Sequence, residues 1–447
     1  MTQPDPVPQP EGFITPQAIP DTTPPETSNH GLHAVSSRNF LRFWTGQTLA
    51  QFGTRLAAVA MPVLAVQLLQ ATEEQVGFLN ASQTAAFLLV GLPAGAWVDR
   101  WLKRRTMIAA DAVRFAAAFA IPVLWFADAL EVWHLYIVAA VVGLATVFFD
   151  VAYQSFIPIL VPDGDVASAN SRLETTAQLA TTGGPALGGL LLHVISAPVL
   201  LLADALGYLT SLVFLVLTKD TEHLQRDVTA PRTTSLLAEI AEGGRFVWQQ
   251  PAIRRITMST FLANLASTMS FTLLPILVLR QIGLTPFTYG LIMTAGSIGG
   301  TIGAATAPWL ARRLTPGRLI PLAVLVSWIT FLGNPLAGTV ASRGLAITIL
   351  IATEIVTMMA VMAYNITQVS IRQRLCPKPL LGRMNASIRF VVWGVMPIGA
   401  LLSGWLGGRI GVLPTMWLAA IGGVVALLPV LRIARHIPPE FNRPSTI

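Results

Sequence analysis

Gly95-Ala-Trp-Val-Asp99-Arg100-Trp-Leu-Lys103-Arg104-Arg105 places five charges on a short hinge between two long apolar segments. A charge at the bilayer centre costs roughly 2.5 to 3.5 kcal/mol even on the lenient insertion scale, so the hinge must reach water. The flanking stretches, Val76 to Val98 and Thr106 to Phe126, then read as membrane spans, and the hinge as a tight turn at the membrane surface.

Composition agrees. Of 447 residues, 53% are hydrophobic and only 11% charged, and mean hydropathy is +0.63, too little polar surface for a soluble globule. Apolar runs long enough for a hydrocarbon core of roughly 30 Å begin near Phe43, Val76, Thr106, Trp133, Ser168, Pro198, Ile253, Pro286, Arg318, Gly344, Met384 and Leu413. The runs are continuous and carry internal Gly and Pro without the period-two alternation of barrel strands, which predicts an all-α membrane protein of twelve transmembrane helices.

The formal net charge of +7 would suit nucleic acid, but its placement argues otherwise. Arg100, Lys103, Arg104 and Arg105 share one connection, Arg312, Arg313 and Arg318 a second, and Arg372, Arg374, Lys378 and Arg383 a third. The connections between these hold at most one basic residue, such as Arg280, Arg343 or Arg409. This positive-inside pattern predicts a multi-pass protein of the plasma (inner) membrane with both termini cytoplasmic and no nucleic-acid partner. Residues 1–37, rich in Pro and Thr and lacking the order of a signal peptide, are expected to be a disordered cytoplasmic tail. The single cysteine, Cys376, excludes an internal disulfide and reads as an incidental loop thiol.

The chain repeats itself. One constant offset carries Met61-Pro62 onto Leu274-Pro275, Val76-Gly77 onto Tyr289-Gly290, and Arg100 and Arg105 onto Arg313 and Arg318. Residues 38–218 and 251–436 therefore form two six-helix units, with 219–250 a charged cytoplasmic linker and 437–447 a cytoplasmic tail. Within the linker Leu236, Leu237, Ile240, Gly244, Val247 and Trp248 fall near helical spacing, predicting a short amphipathic helix.

Six helices, a linker and six repeated helices resemble the plan of the major facilitator superfamily over the whole membrane region. Gly95 to Arg105 resembles that family's signature loop between its second and third helices. The offset places Asp99 on Arg312, so only the first half keeps the acid. The resemblance makes Asp99, Arg100 and Arg104 gating residues, Asp99 latching onto the positive amino end of a helix in the other half. Gly183-Gly184-Pro185-Ala-Leu-Gly188-Gly189 is similar to the antiporter motif of facilitator exporters, with Ala180 where a leading glycine often stands. Gly184, Pro185, Gly188 and Gly189 would let that helix bend and pack closely at the half-to-half interface. Gly296, Gly299, Gly300 and Gly303 read as a packing face, since no strand precedes them as a phosphate loop requires. Phe149-Asp150, Tyr153-Gln154-Ser155, Ser370-Ile-Arg372-Gln373-Arg374, Gly382-Arg383-Met-Asn385 and Trp393-Gly394 resemble the exporter branch that includes macrolide-efflux and enterobactin-exporter proteins.

Polar residues within spans are costly unless they line water or a partner, so their spacing locates a cavity. Gln47, Gln51 and Arg55 recur four apart; Asp150, Tyr153 and Gln154 share a face, as do Glu174, Gln178, Thr181 and Thr182. Glu354, Met358, Val361, Asn365, Gln368 and Arg372 form one line, and Asn264 joins the candidate cavity set. In the family these helices face the central cavity. Asp111, Arg114 and Asp204 fall on helices peripheral in that architecture and read as structural.

Asp150 and Glu354 are the proton-coupling candidates, because a carboxyl at mid-membrane depth can take up and release a proton. A permanent ion pair to Arg55 is the competing reading. No Walker lysine, paired-histidine metal spacing or hydrolytic constellation is present, so no cofactor, no metal and no enzymatic reaction are expected. The reading is proton-coupled export of a hydrophobic or amphipathic small molecule, such as an antibiotic or a siderophore, by a monomer in the lipid bilayer. An uptake symporter or a non-transporting membrane sensor or scaffold are the alternatives.

Overall fold

The computed structural model describes residues 38–219 and 236–443, without the side chains of residues 92, 96, 99, 163 and 236–240. The expected tail 1–37, the side chain of Asp99 and those of Leu236, Leu237 and Ile240 lie outside the described residues. Six helices come first: α1 (Arg38–Val63), α2 (Glu73–Arg100), α3 (Lys103–Phe126), α4 (Val132–Leu160), α5 (Val166–Leu191) and α6 (Ala197–Leu217). The linker carries α7 (Leu236–Gln249). There follow α8 (Pro251–Ile276), α9 (Pro286–Arg313), α10 (Pro316–Phe331), the short α11 (Gly333–Ala337), α12 (Arg343–Leu375), α13 (Leu381–Ile410) and α14 (Val412–Val424).

Among the described residues nine helices are long and apolar enough to cross a membrane. The long helices α2, α5 and α9 fall short of that measure; α2 and α5 carry Glu73, Glu74, Asn80 and Gln83, and Arg172, Glu174 and Gln178, while α9 is rich in glycine and threonine. All three lie where the halves meet, α2 against α13 and α5 against α9. A helix that faces protein on this side can carry polar residues that lipid would not tolerate, though α13 in the same seam keeps an apolar span.

The sequence offset carries Thr72 onto Thr285, and each caps its helix: Thr72 Oγ1 accepts from Gln75 N, and Thr285 Oγ1 from Thr288 N. It also carries the π turn Leu64–Leu68 that ends α1 onto the π turn Leu277–Gln281 that ends α8. Even the closing hydrogen bonds correspond, Ala71 N to Ala65 O and Leu284 N to Val278 O.

The buried apolar residues are distributed unevenly. One cluster draws on both halves, with Val59, Leu64, Val66, Leu79 and Leu200 meeting Leu273, Leu277, Val278, Ile292 and Met416. Toward the basic connections the clusters belong to single halves, Phe40, Met107, Phe156 and Leu173 in one, Ile256, Trp328, Ile371 and Val430 in the other. The halves therefore share a core at one end only.

The linker helix α7 lies against the start of α13, where Glu242 pairs with Arg383 and Val247 packs beside Met384. Cys376 lies in the connection that follows α12, buried in that cluster, and burial pushes its thiol up. The chain beyond 436 is also tied down, with Ile437 buried and Asn442 Oδ1 accepting from Gly317 N at the start of α10.

Candidate functional site

The shared end is sealed by backbone contacts that only glycine permits. A Cβ added to Gly77 would lie 2.8 Å from Ala400 O and 2.8 Å from Gly404 Cα, so α2 and α13 cross there backbone to backbone. On the other flank Gly189 meets Pro286 and Phe287, and Gly290 meets Pro185 O. Between them Arg280 reaches across, its Nη2 donating to Val66 O at 2.9 Å and to Ala71 O at 2.8 Å. Arg280 corresponds to Gln67 under the offset, so this clasp exists in one half only.

Away from this seal the halves part around a vestibule of about 520 Å³. Asp150, Gln154, Gly91 and Phe87 line it from the first half, and Asn385, Arg389 and Trp393 from α13. Asp150 and Gln154 thus face the other half, while Tyr153 turns aside to stack on Phe43 and Phe149 at 5.7 and 6.1 Å. Gln178 is exposed and donates to Thr301 Oγ1 at 3.1 Å across the halves, next to Ser297, whose hydroxyl donates to Thr181 O. Asn264 and Asn365 line a separate cavity of about 140 Å³ within the second half, where Asn264 Nδ2 also donates to Val392 O at 2.6 Å.

Gln47 and the proton-coupling candidate Glu354 are likewise turned elsewhere. Gln47 is buried and donates to Ser211 Oγ of α6 at 2.8 Å, inside its own half. Four residues of helix advance 40° beyond a full turn, so the stripe rotates away between Arg55 and Gln47. Glu354 is 2% exposed and sits among α9, α11 and α12, with Asn334 Nδ2 donating to its Oε1 at 3.4 Å and Gly296 against its Oε2. It does not line the vestibule with Asp150. Farther along the same line Met358, Val361 and Asn365 do reach a cavity, and Gln368 is buried with Oε1 unpartnered. Gln51 is half-buried.

Arg55 makes no ion pair with Asp150 or Glu354 among the described residues, and its Nε has no hydrogen-bond partner. Gly184 lies directly on its Cβ, and Gly188 on Leu56. The fifth-helix glycines therefore serve two neighbours, Gly184 and Gly188 facing α1 and Gly189 facing α9. Arg104, expected to gate, binds within its own half: its Nε and Nη2 donate to Leu215 O and Val216 O, at 2.9 and 2.7 Å. These carbonyls end α6, where the helix dipole is negative and a cation is favoured. Arg100 is exposed at the end of α2.

Asp204, read from the sequence as structural, stands at a cavity. It lines a compartment of about 450 Å³ against the sealed end, with Thr54 Oγ1 donating to its Oδ1 at 2.9 Å. Arg114 and Asp111 are the structural pair expected, buried, in contact, with the guanidinium 3.9 Å from the Phe149 ring centroid and 4.6 Å from that of Tyr208. Among the described residues no group of three or more His, Cys, Asp or Glu is placed to hold a metal ion.

Two helical halves, sealed together at one end and parted around a vestibule at the other, are the plan of a transporter of the major facilitator class. The chain belongs to the family described as transmembrane secretion effector, which matches residues 30–441. It is 26% identical over 400 residues to the multidrug efflux pump Tap of Mycolicibacterium fortuitum, covering 85% of this chain and 93% of that one. It is 20% identical over 398 residues to macrolide efflux protein A of Streptococcus pyogenes, covering 88% and 94%. A bacterial homologue of the human lysosomal transporter Spinster, inward-facing and unoccupied, shares the fold at a TM-score of 0.69, with 14% identity and coverage of 92% and 100%. A bacterial homologue of the iron transporter ferroportin, inward-facing, does so at 0.69, with 16% identity and coverage of 89% and 98%.

Proposed function

We propose that this protein is a proton-coupled exporter of hydrophobic or amphipathic small molecules, antibiotics foremost and siderophores next, working by alternating access. In this reading all twelve long helices cross the membrane as two six-helix repeats. The basic connections and both termini face the cytoplasm, and the vestibule is the inward-open mouth of the route. The observation that carries it is the pairing of a seal at one end with a vestibule at the other, in which Asp150 and Gln154 of one half face Asn385 and Arg389 of the other. The names of the relatives support drugs as cargo.

Two carboxylates divide the coupling. Asp150 stands in the vestibule and exchanges protons with the cytoplasmic side. Glu354, packed away with Asn334 and Gly296 and with no cation beside it among the described residues, is the second carrier, reached when the packing of α9 and α12 around it changes. The helix α9 that packs on Glu354 is also the one that Gly189 and Gly290 hold against α5 across the halves, so opening of the sealed end acts directly on the helix beside this carboxyl. One proton crossing with its charge supplies roughly 2.3 kcal/mol per 100 mV, enough for a roughly 40-fold gradient of a neutral cargo.

Proteoliposomes loaded with a radiolabelled macrolide and given an imposed pH step test the reading. Uphill macrolide movement that collapses with the pH step is expected. Movement that ignores the step would remove proton coupling, and uptake in the same direction as protons would make the protein a symporter.

A further inference from the structure

The compartment around Asp204 is distinct from the vestibule. It is enclosed mainly by α1, α2, α4 and α6, and closed on the side of the second half by Phe271, Thr272, Pro275 and Tyr289. Among the described residues that line it, Asp204 is the one charged side chain. The vestibule and the compartment share one lining residue, Phe87. Its ring stands edge-to-face on Trp393 of α13, centroids 4.8 Å apart, so an aromatic pair contributed by both halves forms the partition.

Asp204 makes no ion pair among the described residues, and its Oδ1 is held by the Thr54 hydroxyl. Arg114 is the cation on the far side of Tyr208, and it is already committed to Asp111 and to the two rings that flank it. A carboxylate in a compartment lined mostly by apolar side chains attracts a cation more strongly than it would in bulk water, and no cation among the described lining residues competes for that place. The remaining walls suit the apolar body of such a ligand: Met61, Leu79, Ile121, Val138 and Leu201 are aliphatic, and Phe271 and Tyr289 add aromatic lining. A volume of about 450 Å³ falls within the range of small-molecule sites, roughly 300–1,000 Å³.

We propose that this compartment is the occluded subsite for an amphipathic organic cation, with Asp204 as its counter-charge and the Phe87–Trp393 pair as the partition the cation passes from the vestibule. The proposal deepens the efflux reading by naming a cargo class, and it rests on that reading only for the direction of travel.

Binding is tested without any gradient, using tetraphenylphosphonium, a permanent cation that neither titrates nor donates hydrogen bonds, on the purified full-length protein by equilibrium dialysis. Asp204→Asn is expected to weaken binding at least tenfold, while Asp204→Glu keeps it within threefold of the wild type. Ala58→Phe fills the compartment without touching the charge and should abolish binding, which keeps the test open if Asp204→Asn does not fold. Unchanged affinity in Asp204→Asn, or in Ala58→Phe, overturns the proposal, as does a wild-type protein that leaves the cation unbound. Asp204-dependent binding in a protein that moves no cargo in proteoliposomes would instead sink the efflux reading and leave the subsite standing.

Discussion

Arg280→Gln should open the sealed end. The substitution installs the residue that the other half carries at the equivalent position, Gln67, so the fold has already accommodated glutamine in this π turn. What it removes is a guanidinium that donates to Val66 O and Ala71 O at 2.9 and 2.8 Å. Hydrogen bonds from a charged donor contribute about 1.5–3 kcal/mol each. Arg280 is half-buried, and both bonds come from one nitrogen, so a combined loss of about 2–3 kcal/mol is the reasonable figure. At about 1.4 kcal/mol per decade, that shifts the equilibrium between sealed and open ends by about 30- to 140-fold. Spin labels at Gln70 and Gln281, both exposed, with Cys376→Ser to remove the native thiol, report the separation across the seal by pulsed dipolar spectroscopy. A new, longer distance population is expected in Arg280→Gln, with Arg280→Lys in between. An unchanged distribution in both would show that the glycine contacts alone hold the seal and that the cross-half hydrogen bonds contribute nothing measurable.

Other substitutions address the remaining parts. Asp99→Asn should leave insertion and expression intact and reduce efflux several-fold, and wild-type rates at equal expression would remove the latch role inferred for this loop. Gly188→Leu must push α5 off Leu56 of α1 and should abolish coupled export; retained coupling would show that the close approach is dispensable. Asp150→Asn and Glu354→Gln keep side-chain shape without the ability to change charge, so each should flatten the dependence of efflux on an imposed pH step while drug binding survives. If both single variants still drive drug uphill on the step, the carrier lies elsewhere.

The helices were readable because apolar run length and the charged hinges are local properties. Expected starts at Val76, Thr106, Pro286 and Leu413 fall within the first turn of α2, α3, α9 and α14. The destination of a polar side chain was less readable. Periodicity gives the face of a helix, but a bundle helix has one face toward the opposing half and others toward neighbours in its own half, and both bury polar atoms. Asp150 took the first destination; Gln47 and Glu354 took the second, finding Ser211 and Asn334. Asp204 was ranked as structural because its helix is peripheral, yet Gly53 lets α1 approach the backbone at Ala203 and Asp204, and the carboxylate reaches past it into the compartment. Arg280 was visible only as a solitary charge in an otherwise uncharged connection. Nothing local says that its partners are carbonyls some two hundred residues earlier.

The crossing of Gly77 and Gly404 also governs the mechanics of any opening. Helices that interlock through large side chains must ratchet past one another, and each step costs the disengagement of a knob from its hole. Two bare backbones carry no knobs, so α2 and α13 can roll or part there along a smooth track with a low barrier. The crossing is a bearing, and a single added methyl at either glycine would turn it into a brake.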